Sequence, residues 1–270
     1  MKRGKYVLFY LQNIRRVFSF RSVLAVILVF LSFLLDSERG FWMVLAGRIE
    51  PVGGSVILWV SNLIHYGIYY GFALVFLTIP FADAFCAEWN SGFTSYLVQR
   101  LGKKKYAGIH IGISALTGGV TYAMGIGIYL ALLKRYYPFF QVEDMDSYNV
   151  NGIGELLTES KTAAYLLAFL FLFFLSGCMW GALASAVSVL ITNRYVIAVV
   201  PYCLNRTYIE IAKAVHIPGR FRIDYIFLSK NIDYSPMQTL VISGIITILV
   251  WSGCWLFFQY ALKRRLENDK

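Results

Sequence analysis

Apolar residues in this chain form long blocks, and these blocks constrain the fold more than any other feature of the sequence. A helix needs roughly 20 apolar residues to cross the hydrocarbon core of a bilayer, which is about 30 Å thick. Six blocks reach or approach that length: 22–35, 56–80, 109–133, 162–190, 195–211 and 237–261. The first is short, but the amphipathic run before it can extend the helix. The sequence therefore predicts an all-α polytopic membrane protein with six transmembrane helices.

The overall composition supports the membrane class. Hydrophobic residues make up 58% of the chain and charged residues only 15%, whereas soluble domains carry about 25% charged residues. The basic start, with Lys2, Arg3 and Lys5, precedes a mixed segment and not an apolar core, so we expect no cleaved signal peptide. No internal repeat or low-complexity tract is visible. We therefore expect one transmembrane domain over residues 1–270.

The positive charge of the chain is concentrated on one predicted membrane face. With both termini placed in the cytoplasm, the inner segments hold 15 of the 25 Lys and Arg residues and only four of the 15 acidic residues. Cytoplasmic loops of membrane proteins carry such an excess of Lys and Arg. We therefore predict a multi-pass protein of the cytoplasmic membrane with both termini inside. Anionic lipid of the bilayer explains the basic character, so no nucleic-acid partner is expected.

Two further segments have the pattern of helices that lie along a membrane or partly enter it. Residues 5–21 place apolar side chains at helical spacing, which predicts an amphipathic interfacial helix at the inner surface. A simple cytoplasmic extension of the first span is the alternative. Residues 212–236 are too aromatic for an ordinary outer loop and predict re-entrant helices before the sixth span, with a plain outer loop as the alternative.

The chain lacks the motifs of the membrane enzymes that would suit its size. The sequence has no GxSG serine, no HExxH and no Walker A motif. The three histidines, His65, His110 and His216, are far apart, and the four cysteines are scattered without ligand spacing. We therefore predict that the chain is not an enzyme and carries no metal or cofactor of its own.

The segment 81–108 is unusual because it inserts an amphipathic stretch between two apolar blocks on the predicted inner face. It reads FADAFCAEWNSGFTSYLVQRLGKKKYAG, and aromatic residues recur every three to four positions from Phe81 to Tyr96. This spacing predicts a helix, a turn and a second short helix. One apolar face and one lone glutamate, Glu88, suit docking on another protein. An ordinary amphipathic loop is the alternative.

The chain resembles the permease subunits of type-2 ATP-binding-cassette exporters. That family has an interfacial N-terminal helix, six spans, an inner loop after the second span and re-entrant helices before the sixth. Its inner loop carries a glutamate, a glycine, an apolar run and a basic run, which correspond here to Glu88, Gly92, 96–98 and 103–105. The stretch 187–202 is similar to the family's turn between the fourth and fifth spans. One departure is that Gln99–Gly102 lacks the proline that often follows the apolar run in the family.

The resemblance implies a mechanism and a set of functional residues. Two such chains, identical or related, would form the pathway, and separate ATPase subunits carrying ATP and Mg²⁺ would bind the inner loops. The ATPase-coupling residues would be Glu88, Trp89, Gly92, Phe93, Tyr96, Leu97 and Arg100. The substrate pathway would include Asn62, Tyr66, Tyr69, Tyr70, Tyr202 and Asn205. The aromatic character of this second set suits a peptide, a drug or a lipid-like amphipathic substrate.

Two other functions fit the same sequence. The chain could be a membrane scaffold or immunity protein that binds a partner without transport, or the membrane component of a vitamin-type importer. The interfacial helix and the amphipathic outer segment favour the exporter over the importer. The sequence alone does not distinguish the exporter from the scaffold.

Overall fold

The computed structural model describes residues 16–37, 39–48, 54–67, 69–141, 152–158, 161–230 and 234–268. Within these ranges all regular secondary structure is helical. The α-helices are α1 (Phe20–Leu35), α2 (Arg39–Leu45), α3 (Val56–Tyr66), α4 (Ala73–Phe76), α5 (Ala84–Asn90), α6 (Phe93–Leu101), α7 (Lys103–Tyr136), α8 (Glu155–Thr158), α9 (Thr162–Ser188), α10 (Arg194–Ala214), α11 (Ile223–Phe227) and α12 (Pro236–Asn268). Short 3₁₀ segments occur at Tyr69–Phe72, Gly152–Gly154 and Gly219–Phe221.

Three of these helices, α7, α9 and α12, are long and apolar enough to cross a membrane, and α1 is a shorter apolar helix. Many of their outward-facing side chains are large and apolar, as on α12, where Ile248 is 59% and Leu249 is 66% exposed. Such a surface is stable against lipid and not against water. The protein is therefore a helical membrane protein, in agreement with the prediction from the apolar blocks.

Glycine residues bring α7 and α9 into close contact at the centre of the bundle. A Cβ atom on Gly177 would lie 2.5 Å from the carbonyl oxygen of Gly118 and 2.8 Å from the Cα of Gly119. No larger side chain fits there without separating the two backbones. Small residues are the usual means of packing helices in lipid, where apolar burial against a neighbour brings no gain over burial in lipid.

The helices alternate in direction between two ends of the bundle. At one end, which we call the basic end, Arg265 donates to the carbonyl of Val189 over 2.7 Å and Asn90 donates to that of Thr192 over 3.4 Å. The start of α7 lies at the same end. At the opposite, distal end, the backbone N–H of Val56 donates to the carbonyl of Pro138 over 3.0 Å. The chain therefore crosses the bundle repeatedly from one end to the other.

The predicted second span, 56–80, is not one continuous helix. Helix α3 ends at Tyr66, and Gly67 has extended backbone with ψ of 141°. The carboxylate of Asp36, at the end of α1, accepts a hydrogen bond from the backbone N–H of Tyr70 and so satisfies the start of the next helical segment. A Cβ at Gly67 would lie 2.8 Å from the same carboxylate. The break is thus fixed by a contact with another helix.

The remaining predicted segments agree with the structure to different extents. Helix α10 covers the predicted fifth span, 195–211, and Asn193 caps its start by accepting from the N–H of Tyr195 over 3.0 Å. The predicted third span, 109–133, begins earlier, at Lys103. The segment 212–236 contains α11 and one 3₁₀ turn. Most of the predicted interfacial helix, from residue 5 to residue 15, lies outside the described residues.

Candidate functional site

Two short helices, α5 and α6, form a compact unit at the basic end, and we call this unit the helix pair. Gly92 joins them with φ of +72°, and Gly102 joins α6 to α7 with φ of +82°. Glycine adopts these left-handed values without steric cost, whereas a residue with a Cβ does so at a penalty. The chain therefore turns sharply between the two helices and again after the second, which leads directly into the first turn of α7.

Glu88, on α5, is the buried centre of a polar cluster. Its carboxylate accepts hydrogen bonds from Arg16 over 2.7 Å and from the hydroxyl of Tyr106 over 2.7 Å. The Nε2 atom of His110 lies 3.1 Å from the same carboxylate. Glu88 is 3% exposed and His110 is 1% exposed. We call these four residues the Glu88 cluster, and they join the segment before α1, the helix pair and α7.

The electrostatics of the cluster keep Glu88 ionised. Burial by itself raises the pKa of this carboxyl, because it removes water from the charged form. Hydrogen bonds from His110, Tyr106 and Arg16, together with the charge interaction with His110, outweigh that effect and hold the pKa of Glu88 below its ordinary value. The carboxylate is therefore a fixed negative charge that holds three groups from other elements in place.

The opposite side of the helix pair carries an exposed aromatic and basic surface. Phe93 is 47% exposed and Tyr96 is 46% exposed, with their ring centroids 5.5 Å apart. The guanidinium of Arg100 lies 4.7 Å from the centroid of the Tyr96 ring, within the range of a cation–π contact. We call Phe93, Tyr96 and Arg100 the docking patch. Exposed aromatic and arginine side chains are the residues most enriched at protein interfaces.

The predicted coupling residues therefore lie on two different faces of the helix pair. The docking patch faces outward, whereas Glu88 and Leu97 are buried. Trp89 is half-buried, with the guanidinium of Arg265 lying 4.2 Å from its ring centroid. Gly92 forms the turn between the helices. The carboxylate of Glu88 accordingly contacts other parts of this chain and not the outer surface of the helix pair.

A second feature, a cavity of about 290 Å³, lies towards the distal end, among α7, α9, α10, α11, α12 and the stretch from Tyr70 to Leu74. We call it the distal cavity. Aromatic rings and a few polar groups line it, among them Tyr70, Tyr122, Trp180, Asn205, Tyr208 and Asp224. Arg222 binds the carboxylate of Asp224 with two hydrogen bonds of 2.6 and 3.2 Å. Ligand sites combine apolar walls with few polar groups in this way.

The predicted pathway residues are only partly brought together. Tyr70 and Asn205 both line the distal cavity. Tyr202 is not among its lining residues and stacks on Phe72 with ring centroids 4.9 Å apart. Asn62 is half-buried on α3 and is not among the lining residues either. The side chains of Tyr66 and Tyr69 lie outside the described part of the structure.

Sequence reasoning missed several residues of both sites. Tyr106 and His110 are four residues apart on α7, so they share one helix face, and this spacing was a usable signal. Tyr208 likewise follows Asn205 by one helical turn. Arg16 and Asp224 come from other elements, and no local pattern marks them.

Comparisons of the chain with models of known protein families, with curated proteins and with solved structures found no match. Among the described residues, no group of three or more His, Cys, Asp and Glu side chains is placed to hold a metal ion. Any assignment of function therefore depends on the geometry of the helix pair, the Glu88 cluster and the distal cavity.

Proposed function

We propose that this chain is the membrane subunit of an ATP-driven exporter that works with separate ATPase subunits. The observation that supports this best is the two-faced helix pair at the basic end. Its outer face carries the docking patch, and its inner face holds the ends of the membrane helices through the Glu88 cluster. A surface that binds a moving partner needs such a firm attachment to the helices it has to move.

In this proposal, ATP binding closes the ATPase subunits and moves the helix pair as a rigid body. The movement passes to α7 directly, because only Gly102 separates α6 from α7. It also passes through Glu88 to Arg16, in the segment before α1, and to His110 on α7. ATP binding would thereby favour one of two arrangements of the bundle, which is how ligands drive conformational switches.

The full topology in this proposal has six spans with both termini in the cytoplasm. The spans are α1, the segmented stretch from α3 to the helix pair, α7, α9, α10 and α12. The basic end faces the cytoplasm, in keeping with the excess of Lys and Arg there. The described residues of the segment 212–236 enter the outer leaflet from the distal side, and residues 16–21 lie at the inner surface.

The distal cavity is the proposed substrate site. Its volume of about 290 Å³ is at the lower limit of ligand pockets, which run from about 300 to 1,000 Å³. It therefore accommodates one apolar part of an amphipathic peptide, drug or lipid, while the rest of the substrate extends into the space between two subunits. ATP and Mg²⁺ bind to the ATPase partner and not to this chain.

The cavity assignment predicts different effects for two asparagines. We expect Asn205→Leu to reduce substrate-stimulated ATP hydrolysis about tenfold, since loss of a buried hydrogen-bonding group at a ligand costs about 1–3 kcal/mol. Asn62→Leu, on α3 away from the cavity, is the matched control and should change it less than twofold. The measurement is ATP hydrolysis by the reconstituted complex over a range of substrate concentrations. Equal effects of the two substitutions would exclude the distal cavity as the substrate site.

The assembly with a second copy also has a direct test. Cys203, on α10, is exposed, whereas Cys86, Cys178 and Cys254 are buried. The resemblance places the fifth span at a two-fold interface, where a residue near the axis meets its own counterpart. We expect a short bismaleimide to produce a species of twice 30.7 kDa in native membranes, and Cys203→Ser to abolish it. A chain that stays monomeric with long bismaleimides as well would contradict a homodimer built on α10.

The proposal as a whole is tested by copurification. The tagged chain is extracted from its native membranes in mild detergent, and the proteins that come with it are identified by mass spectrometry. We expect an ATPase that has a Walker A motif and no membrane span. If none appears even after crosslinking, the exporter proposal is wrong and the scaffold alternative replaces it.

A further inference from the structure

A groove of about 730 Å³ lies between α7 and α12, on the membrane-facing surface of the bundle. Gly108, Gly112 and Leu116 line it from α7, and Ile248 and Trp251 line it from α12. Two of the α7 residues are glycines, so the groove is open where side chains would otherwise stand. A Cβ on Gly112 would lie 3.8 Å from the ring of Trp251. The lining is almost wholly apolar.

The length of the groove matches one leaflet of a bilayer. It extends along α7 from Lys105 to Leu116, and eleven residues of helix rise about 16 Å. The hydrocarbon core of a bilayer is about 30 Å thick, so one leaflet is about 15 Å. The groove therefore begins near the surface of the membrane at the basic end and ends near the bilayer centre.

The polar end of the groove is basic. Lys105 lines this end of the groove. The indole N–H of Trp255 donates to the backbone carbonyl of the neighbouring Lys104 over 3.2 Å. The same end of α7 and α12 carries six basic residues, Lys103, Lys104, Lys105, Lys263, Arg264 and Arg265. None of the described lining residues is acidic. An anion at the depth of the lipid headgroups is therefore favoured at this end.

We propose that this groove is a binding site for one phospholipid with an anionic headgroup, taken from the leaflet at the basic end. The acyl chains lie along Gly108 and Gly112 against Trp251, and the phosphate, whose negative charge no cationic substituent compensates, lies at Lys105. The apolar length, the position of the lysine and the position of Trp255 near the interface all fit a lipid. The site is independent of the proposed transport function, because none of the residues that line the groove also lines the distal cavity.

The test is a lipid titration of the purified full-length chain in detergent, followed by native mass spectrometry. The probes are phosphatidylglycerol and phosphatidylcholine with the same acyl chains. We expect the wild type to hold one phosphatidylglycerol with about fivefold preference over phosphatidylcholine. Lys105→Gln should abolish the preference, and Gly112→Leu should abolish retention of both lipids.

Two control variants match these substitutions on the same helix. Lys134→Gln removes an exposed lysine at the other end of α7. Gly127→Leu adds a side chain where a Cβ meets only Leu170, at 3.7 Å. Both should bind phosphatidylglycerol as the wild type does. Size-exclusion profiles and melting temperatures show whether each variant is folded, and the Lys105→Gln comparison still decides the question if Gly112→Leu does not fold.

Three results would overturn the proposal. The first is equal affinity of the wild type for the two lipids. The second is unchanged phosphatidylglycerol binding by both Lys105→Gln and Gly112→Leu. The third is a protein that copurifies, crosslinks to position 112 and excludes lipid from the groove.

Discussion

Replacement of Phe93 by aspartate is expected to abolish copurification of the ATPase partner while the chain remains folded in the membrane. Phe93 is about half exposed, and its ring contacts Tyr96 within the docking patch. Because it is not part of the buried core, the substitution costs little stability. A charge in place of a central aromatic residue weakens an interface by 2 kcal/mol or more, which is about 30-fold in affinity.

The matched control is Phe221→Asp, which makes the same change in a phenylalanine that is 60% exposed near the distal end. That variant should retain the ATPase at the wild-type level. The measurement is the amount of ATPase recovered per mole of tagged chain, with monodispersity of the membrane protein checked in parallel. Recovery of the ATPase with Phe93→Asp and Tyr96→Asp at the wild-type level would show that the docking patch is not the contact.

Replacement of Glu88 by alanine is expected to lower the stability of the whole bundle by about 3–5 kcal/mol. Leaving a buried hydrogen-bonding group without its partner costs about 1–3 kcal/mol, and two such groups are affected here. The ion pair itself adds little, because Arg16 is 52% exposed. The substitution leaves the Tyr106 hydroxyl and the His110 ring buried without their acceptor and releases Arg16. The measurement is the apparent melting temperature of the purified chain in detergent.

Two controls separate the buried cluster from ordinary surface charge. Asp83→Asn breaks an exposed ion pair with Arg21, whose atoms are 3.5 Å apart, and should cost less than about 1 kcal/mol. Glu88→Gln keeps hydrogen-bonding atoms and should fold, so that its ATPase still copurifies but substrate no longer stimulates ATP hydrolysis. If Glu88→Ala melts at the wild-type temperature, the cluster is not a structural joint and the proposed route of coupling fails with it.

The long helices were predictable because their signal is local. α7, α9 and α12 each follow from an uninterrupted apolar block, and only their ends needed the structure. The break at Gly67 was not predictable, because its cause is a carboxylate at Asp36, 31 positions earlier in the sequence. A window of neighbouring residues contains no trace of that contact.

The sequence predicted where the functional surfaces lie, but not which of their side chains are buried and which are exposed. The spacing of aromatic residues correctly located two short helices within 81–108, but Glu88 reads there as an exposed polar residue. Its burial depends on Arg16, 72 residues away, and on His110 in the next helix. The cavity shows the same limit, since Tyr70 and Asn205 were named from the sequence whereas Asp224 enters from a separate segment.

The glycine contact between α7 and α9 has a mechanical consequence. Two backbones that already touch at Gly118 and Gly177 cannot approach further, and lipid offers no gain for drawing them apart. The two helices therefore move as one rigid body. Since Trp180, one turn beyond Gly177, forms part of the distal cavity wall, that wall is fixed to α7. The cavity can change volume only when its other walls, which are α10, α11, α12 and the stretch from Tyr70 to Leu74, move relative to this fixed pair.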